Sequence, residues 1–504
     1  MSRIFGNGLR LFRDWANLGG IGLEERQMAM LRKHLREAVV PFSPYYRERI
    51  TARTINNLKS FADLQRLPFT RKRDLENPRD IVLQPEPAEL ARRPMTIARG
   101  LVRGPRNAKA HLEHEFRPVM MTSTTGRSGA PVPFVYSGRD LDLLSVTGTR
   151  MMEICESSPE FRHVNLFPYA PHLAFWQAHY AGTGFRTFML STGGGKAIGL
   201  DKNLQMVDRV NPDAVISMPT FFYHLLHQAS ENGLRWSNIK RVVLGGEKVP
   251  LGMRRKLHEM LEAMGAEDVR IMGTYGMTEA KMAWPECPAA PGSEGTGYHL
   301  SPDLVLVEVV DPESGVPVPE GHPGEIVVTP LQARGSVVVR YRTGDLISGG
   351  IEYTMCPHCG RNCPRLMGSI SRVSNRKRLQ IGKVKGTLVD FDALEVLLDD
   401  VSGLASWQIE LRKHRDDPLE TDEIVVYCVT AGGKESAAVE RAVYDRFDKD
   451  TEIHPNEVRF VTMDELSERL GVGVALKEER VVDRRPQFDD ASGGSENNEE
   501  QEEA

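Results

Sequence analysis

Between residues 162 and 275, short apolar runs alternate with segments of helical periodicity, and this alternation constrains the fold more than any other feature. Apolar runs at 164–167, 187–190, 214–217, 241–244 and 269–272 read as strands. Helical patterns at about 201–210, 220–231 and 251–264 fall between the later ones. Strand–helix–strand order predicts a parallel sheet with helices on both faces. Ligands of such sheets bind beyond the carboxyl ends of the strands. Gly245-Gly246-Glu247 and Gly273-Thr274-Tyr275-Gly276 lie at two such ends.

The flanks read differently. Residues 23–39 place Leu23, Met28, Leu31, Leu35 and Val39 at helical spacing, and Pro41 ends the run. The segment 67–75 predicts a turn in which Thr70 caps a short helix. Strand-like runs at 304–310, 325–328 and 337–340, separated by Pro/Gly turns, predict an antiparallel, barrel-like subdomain. Residues 366–386 are basic and poor in apolar side chains, which suits a hinge. A small α+β unit follows, with helices near 391–398 and 435–447 and strands near 407–411, 424–429 and 458–461. The expected class is α/β. A large N-terminal domain over 1–371 combines helix-covered, mainly parallel sheets with the β subdomain. A small α+β C-terminal domain spans 372–487, and an acidic tail over 488–504 is expected to be disordered.

At 504 residues the chain needs two or three domains. Net charge is −5, and residues 489–503 alone carry more acid than that. The remainder is near neutral, which argues against a nucleic-acid binder. No apolar run approaches a membrane span, so no membrane partner is expected. The first residues lack a continuous apolar core and a cleavage site, so no secretory signal is expected. Six cysteines are too few for a disulfide scaffold. Three of them crowd into Cys356-Pro-His-Cys359-Gly-Arg-Asn-Cys363, which suggests a metal in a reducing, cytoplasmic setting.

The stretch Thr122-Ser123-Thr124-Thr125-Gly126-Arg127-Ser128-Gly129-Ala130-Pro131 runs small hydroxyl residues into glycines. Such a loop can present backbone N–H groups and hydroxyls to an anion, and Arg127 adds a charged donor. Taken alone it fits a nucleotide's phosphates or an ordinary surface turn equally well. Gly193-Gly194-Gly195-Lys196 is not a Walker A loop, because Leu190 stands where the first glycine is required and Ala197 where Ser or Thr is required.

Five segments in order then match one pattern. The 122–131 loop resembles the phosphate loop of the adenylate-forming superfamily, which includes acyl- and aryl-CoA ligases, luciferases and peptide-synthetase adenylation domains. Gly245-Gly246-Glu247 resembles the segment lining its adenine and acyl pocket. Tyr275-Gly276-Met277-Thr278-Glu279 and Tyr341-Arg342-Thr343-Gly344-Asp345 resemble two further motifs. Lys477 falls where the family keeps a C-terminal catalytic lysine. The phenylacetate–CoA ligase branch is the best match, over roughly residues 25–485.

The resemblance implies an ATP- and Mg²⁺-dependent ligase that activates a carboxylic acid, expected to be aromatic and phenylacetate-like, as an acyl-adenylate. Coenzyme A is the expected acceptor. A carrier protein or an amine is the alternative, and a degenerate nucleotide-binding scaffold is a third reading. A homodimer is compatible with all three. The residue types suit the chemistry. Glu279 can hold Mg²⁺, Thr278 can donate to the α-phosphate, and the Tyr275 ring can stack on adenine. Asp345 can accept both ribose hydroxyls, and Lys477 can stabilise charge on the α-phosphoryl oxygens. By the same resemblance Arg372 contacts ribose or phosphate, and the small C-terminal domain is mobile. Tyr169, Phe175 and Trp176 sit where the family begins its acyl pocket, or are ordinary core aromatics. Cys155 and Cys428 lie in apolar runs and read as inert. The chain departs from the family at Ser123, at the extra Ser128-Gly129 and at Ser374.

Cys356-x-x-Cys359 has the spacing of a zinc knuckle, and Gly360 permits its turn. A closed structural site needs four ligands. Cys287 and His299 flank a Pro/Gly-rich loop and complete the set, as a Cys and a His do in the resembling branch. Cys363 and His358 are competitors.

Overall fold

The computed structural model describes residues 11–12, 14–19, 22–124, 131–291, 293, 295–372, 383–384, 387–388, 391–416, 421–431, 435–451, 454–471 and 479–485. They gather into two compact units, Met1–Arg378 with Gly471–Glu478, and Leu379–Leu470 with Glu479–Ala504.

In the first unit, strands β1 (Pro118–Ser123) and β2 (Pro133–Ser137) form an antiparallel pair. The main sheet comprises β3 (Arg162–Asn165), β4 (Phe188–Ser191), β5 (Ala214–Ser217), β6 (Arg241–Gly245), β7 (Arg270–Met277) and β8 (Met282–Pro285). Its order is β4-β3-β5-β6-β7-β8, with only β8 antiparallel to its neighbour. Helices Leu173–Phe185, Gly194–Val210, Pro219–Glu231 and Leu251–Ala263 connect the parallel strands. Every residue of β5 is buried, as befits a strand covered on both faces. Only the first half of the first apolar run, Val164 and Asn165, is in β3; Leu166 and Phe167 lie beyond its carboxyl end. The helix Gly194–Val210 is broken at Gly199, whose φ of 76° is open to glycine.

The remaining strands are β9 (Tyr298–His299), β10 (Val305–Val310), β11 (Gly324–Pro330), β12 (Tyr341–Ile347), β13 (Ile351–Glu352), β14 (Arg365–Leu366) and β15 (Ile370–Arg372). They make an antiparallel sheet β10-β11-β12-β15 and a small sheet β13-β14-β9. The strand expected at 337–340 is not one. Its polar groups are taken elsewhere: Val337 N–H donates to the Ile81 carbonyl, Val339 N–H to the Tyr46 hydroxyl, and the Val339 carbonyl accepts from Thr70. Arg340 then turns the chain at φ 47°, and β12 begins at Tyr341. Thr70 is spent on that contact and does not cap a helix. The short 3-10 turn Lys72–Leu75 starts after Arg71, whose N–H donates to Asp74.

Sequence periodicity missed the helices Pro87–Ala91, Pro94–Arg103, Pro105–Phe116 and Gly138–Ile154. The last begins at a capping box between Ser137 and Asp140.

The second unit holds the hairpin β16 (Lys383–Val384) and β17 (Thr387–Leu388), with β18 (Leu404–Lys413), β19 (Asp422–Thr430), β20 (Glu457–Phe460) and β21 (Val481–Asp483). The larger sheet runs β20-β19-β18-β21. Helices Phe391–Asp399 and Ser436–Asp450 supply Leu394, Leu398, Val443 and Phe447 to a core closed by Trp407 and Ile409. The Trp407 indole N–H donates to Asp399 at 2.8 Å, so this buried aromatic leaves no polar group unpaired. Ser374 and Lys477 lie outside the described residues.

Candidate active site

The carboxyl edge of the main sheet and the start of β12 converge on one cluster. β7 runs past its ladder with β6 and pairs with β8, carrying Tyr275, Gly276 and Met277. A tight turn closed by Lys281 N–H donating to the Thr278 carbonyl then presents Thr278 and Glu279. Gly276 has no room for a side chain, since a Cβ there would meet Ala283 at 2.5 Å. β12 brings Tyr341 and Asp345, and β15 sets Arg372 directly opposite Asp345.

The polar groups are matched. The Tyr275 hydroxyl donates to Asp345 Oδ2 at 2.9 Å, and the Arg372 guanidinium lies 3.0 Å from Asp345 Oδ1. The Tyr341 hydroxyl donates to Glu279 Oε1 at 3.0 Å. Burial pushes the Glu279 carboxyl above its ordinary range, and the Tyr341 hydrogen bond opposes that push. Burial, with the Asp345 charge adding to it, raises the Tyr275 phenol well above its usual value, so it remains a donor. Tyr341 is raised for the same reasons, with Glu279 as the charge.

The start of the hydroxyl-rich stretch, at Ser123, reaches the same place. Ser123 ends β1, and its carbonyl accepts from His172 Nδ1 at 2.9 Å and from the Thr278 hydroxyl at 3.5 Å. Thr124 and Val132 close the loop's neck with two hydrogen bonds, Thr124 N–H to the Val132 carbonyl and Val132 N–H to the Thr124 hydroxyl. Thr125, Gly126 and Arg127 lie outside the described residues.

Gly245 and Gly246 end β6. A Cβ on Gly245 would overlap the Thr274 hydroxyl, and one on Gly246 would stand 3.8 Å from Met218 and 3.9 Å from Phe167. Gly246 also needs φ 84°. Phe167, Met218 and Thr274 therefore line the same edge as these glycines. Glu247 turns to the helix Pro219–Glu231, accepting from the Thr220 hydroxyl at 2.6 Å. Phe175 is buried, Trp176 is half-buried, and the Tyr169 ring is 67% exposed against Phe175.

Sequence reasoning missed two anchors. Tyr341 belongs to a motif, but nothing marked its hydroxyl as the partner of Glu279. Lys281 sits in a turn, where a lysine ordinarily reads as solvated. It is instead buried, with Nζ 2.9 Å from Asp140 Oδ2 and 4.7 Å from the Tyr136 ring. It thereby ties the Thr278–Glu279 turn to β2. Lys281→Met should leave Asp140 buried without its counter-charge and destabilise the protein by about 3 kcal/mol or more. A melting temperature unchanged by this substitution would contradict that role.

A second cluster lies in the same unit. Ligand atoms of Cys287, His299, Cys356 and Cys359 all lie within 4.8 Å of one another. Cys287 and Cys356 sulfurs are 3.8 Å apart, and Cys359 Sγ is 3.3 Å from His299 Nε2. His299 Nδ1 faces the Gly297 carbonyl at 3.1 Å; a carbonyl only accepts, so the proton sits on Nδ1 and Nε2 faces the sulfurs. Gly360, at φ 71°, turns the knuckle, and its N–H donates to the Cys356 carbonyl. Cys363 is buried outside this group, which pushes its thiol up to about 12, and His358 is exposed. Cys155 and Cys428 are buried, each raised to about 12 by burial.

Residues 171–334 match the family model described as AMP-binding enzyme. A phenylacetate–coenzyme A ligase of Thermus thermophilus is 24% identical over 408 residues, which is 80% of each chain. The phenylacetate–coenzyme A ligase of Escherichia coli is 21% identical over 64% of this chain and 66% of that one. A solved 2-hydroxyisobutyryl-CoA ligase in the postadenylation state, in complex with R3-HIB-AMP, shares the fold at a TM-score of 0.73 and 19% identity, over 96% of this chain and 94% of that one. By the matched segment the chain is similar to AMP-binding, adenylate-forming enzymes, and its curated relatives make it similar to phenylacetate–CoA ligases.

Proposed function

We propose that this chain is an AMP-forming acid–thiol ligase that uses ATP to activate a carboxylic acid and passes the acyl group to coenzyme A. The observation that carries this reading is the meeting of three separated motifs. Ser123, Thr278 and Glu279 stand beside Tyr275, Tyr341, Asp345 and Arg372 at the carboxyl edge of the sheet. A carboxylate oxygen of the acid attacks the α-phosphorus and pyrophosphate leaves. The thiolate sulfur of coenzyme A then attacks the acyl carbon and AMP leaves with the carboxylate oxygen. Asp345 is suited to accept ribose hydroxyls, and Arg372 to orient it through their ion pair. Thr278 and the hydroxyl-rich loop can donate to phosphate oxygens. Glu279 is the carboxylate suited to Mg²⁺, which neutralises the triphosphate when bound. Phe167, Met218, Gly245, Gly246 and Thr274 are suited to contain the acid, whose aromatic, phenylacetate-like character rests on the relatives.

The Cys₃His set fits zinc. Three cysteine sulfurs and an oriented imidazole would give zinc four protein donors, which would leave no position for substrate. Six free cysteines support a reducing compartment, for which we take the cytoplasm.

A panel of aryl and fatty acids, each with ATP, Mg²⁺ and coenzyme A, tests the function. Thiol consumption matched by AMP release for an aromatic acid is the expected result. AMP release with thiol untouched would move the acceptor to a carrier protein or an amine, and no acid-dependent AMP would leave only a nucleotide-binding scaffold. Lys477→Ala is expected to slow adenylate formation about a hundredfold and to leave thiol transfer from a synthetic acyl-adenylate nearly unchanged. Equal loss in both half-reactions would remove Lys477 from that role.

A further inference from the structure

One helix of the first unit is built inside out. Pro94–Arg103 places Pro94, Ile97, Ala98 and Leu101 at helical spacing on one face, with Val102 beside them. All five are exposed, Leu101 and Val102 to 82%. The opposite side is the one that packs: a Cβ on Gly100 would lie 4.0 Å from Ala108 of the helix Pro105–Phe116. A surface helix normally turns its aliphatic stripe to the core, so this one is shaped for something outside the chain.

The charge around the stripe says what that is. From Arg92 to Leu112 the sequence carries Arg92, Arg93, Arg99, Arg103, Arg106 and Lys109 and no aspartate or glutamate. Arg92, Arg103, Arg106 and Lys109 are exposed. A second copy of the chain meeting this face across a two-fold axis would set that basic collar against itself. The acidic residues 489–504 have the complementary charge but no leucine, isoleucine or valine to cover the aliphatic side chains. A bilayer with anionic headgroups supplies both partners at once, phosphates for the arginines and acyl chains for Ile97, Leu101 and Val102. We propose that the helix Pro94–Arg103 is an interfacial anchor that seats the protein on an anionic lipid surface. No helix of the described residues is long and apolar enough to cross a membrane, and an anchor of this kind needs none. The sequence expectation of no membrane partner rested on spanning runs alone.

The test is sedimentation of the full chain with vesicles of phosphatidylcholine, alone or with roughly a third phosphatidylglycerol. Binding to the anionic vesicles should exceed binding to neutral ones by about tenfold or more, and should weaken in about 0.5 M salt. Leu101→Glu with Val102→Glu should abolish it at an unchanged melting temperature, because neither side chain packs on the body. Arg103→Ala with Arg106→Ala should reduce it several-fold. Absence of binding to anionic vesicles, equal binding to both vesicle types, or full binding by the glutamate variant would each overturn the proposal. A dimer seen by light scattering that the glutamate variant dissolves would assign the face to a second copy and overturn it as well.

Discussion

Asp345→Ala and Glu279→Gln should each lower acid-dependent ATP–pyrophosphate exchange by about a hundredfold or more, the equivalent of several kcal/mol of transition-state stabilisation. Asp345 is 6% exposed and sits between the Tyr275 hydroxyl and the Arg372 guanidinium, so its carboxylate is held in a fixed orientation. Glu279 is fixed by Tyr341, and the glutamine keeps its volume while removing the charge a divalent cation needs. Both variants must first be shown folded by thermal melting. A folded variant with near-wild-type exchange would remove its residue from the site.

Loss of the second cluster should be felt in stability. Elemental analysis is expected to find about one zinc per chain. Cys287→Ser or Cys356→Ser should lose it and lower the melting temperature by roughly 5–10 °C, corresponding to about 3 kcal/mol. The reason is topological. Cys287 and His299 bracket the loop 288–298, Cys356 and Cys359 belong to a turn far along the chain, and a metal held by all four would join them. A chelator should reproduce the effect in the unsubstituted protein. Metal-free protein of full stability would rule the site out. Zinc kept in Cys287→Ser but lost in Cys363→Ser would move the fourth ligand to Cys363.

The α/β class and the parallel strands themselves were legible because buried parallel strands are continuous apolar runs, as Ala214–Ser217 and Arg241–Gly245 illustrate. Edges were less legible, since periodicity marks burial and not ladder partners. Leu166 and Phe167 continue an apolar run past the last residue of β3, where only Leu166 N–H still reaches β5, at the Ile216 carbonyl. The valines at 337–339 look like a strand, yet their backbone groups are engaged by Ile81, Tyr46 and Thr70, hundreds of residues away. The helix Gly138–Ile154 escaped because its buried face includes Arg139, Asp140, Thr147 and Arg150, which pair internally and do not register as apolar.

At the candidate site, motifs brought Tyr275, Glu279 and Asp345 to attention, and the structure sets them in two neighbouring hydrogen-bonded pairs, Tyr275 with Asp345 and Tyr341 with Glu279. Their supports could not be read that way. Lys281 becomes a structural cation only because Asp140 arrives from a distant helix. Phe167 and Met218 become neighbours of Gly246 only once three strands are aligned. The four metal-cluster residues had the opposite character. A knuckle spacing, an otherwise unsupported Pro/Gly loop and the resemblance to the phenylacetate–CoA ligase branch pointed to them, with Cys363 and His358 as competitors, and the structure gathers Cys287, His299, Cys356 and Cys359.

The central claim is that the acid's own oxygen becomes bonded to the α-phosphorus of ATP. The most direct measurement supplies an accepted acid labelled with ¹⁸O in its carboxylate, together with ATP, Mg²⁺ and coenzyme A, and weighs the nucleotide product by mass spectrometry. The account predicts AMP carrying one ¹⁸O atom, with unlabelled pyrophosphate and an acyl thioester. Unlabelled AMP, or ADP with the label in inorganic phosphate, would contradict it.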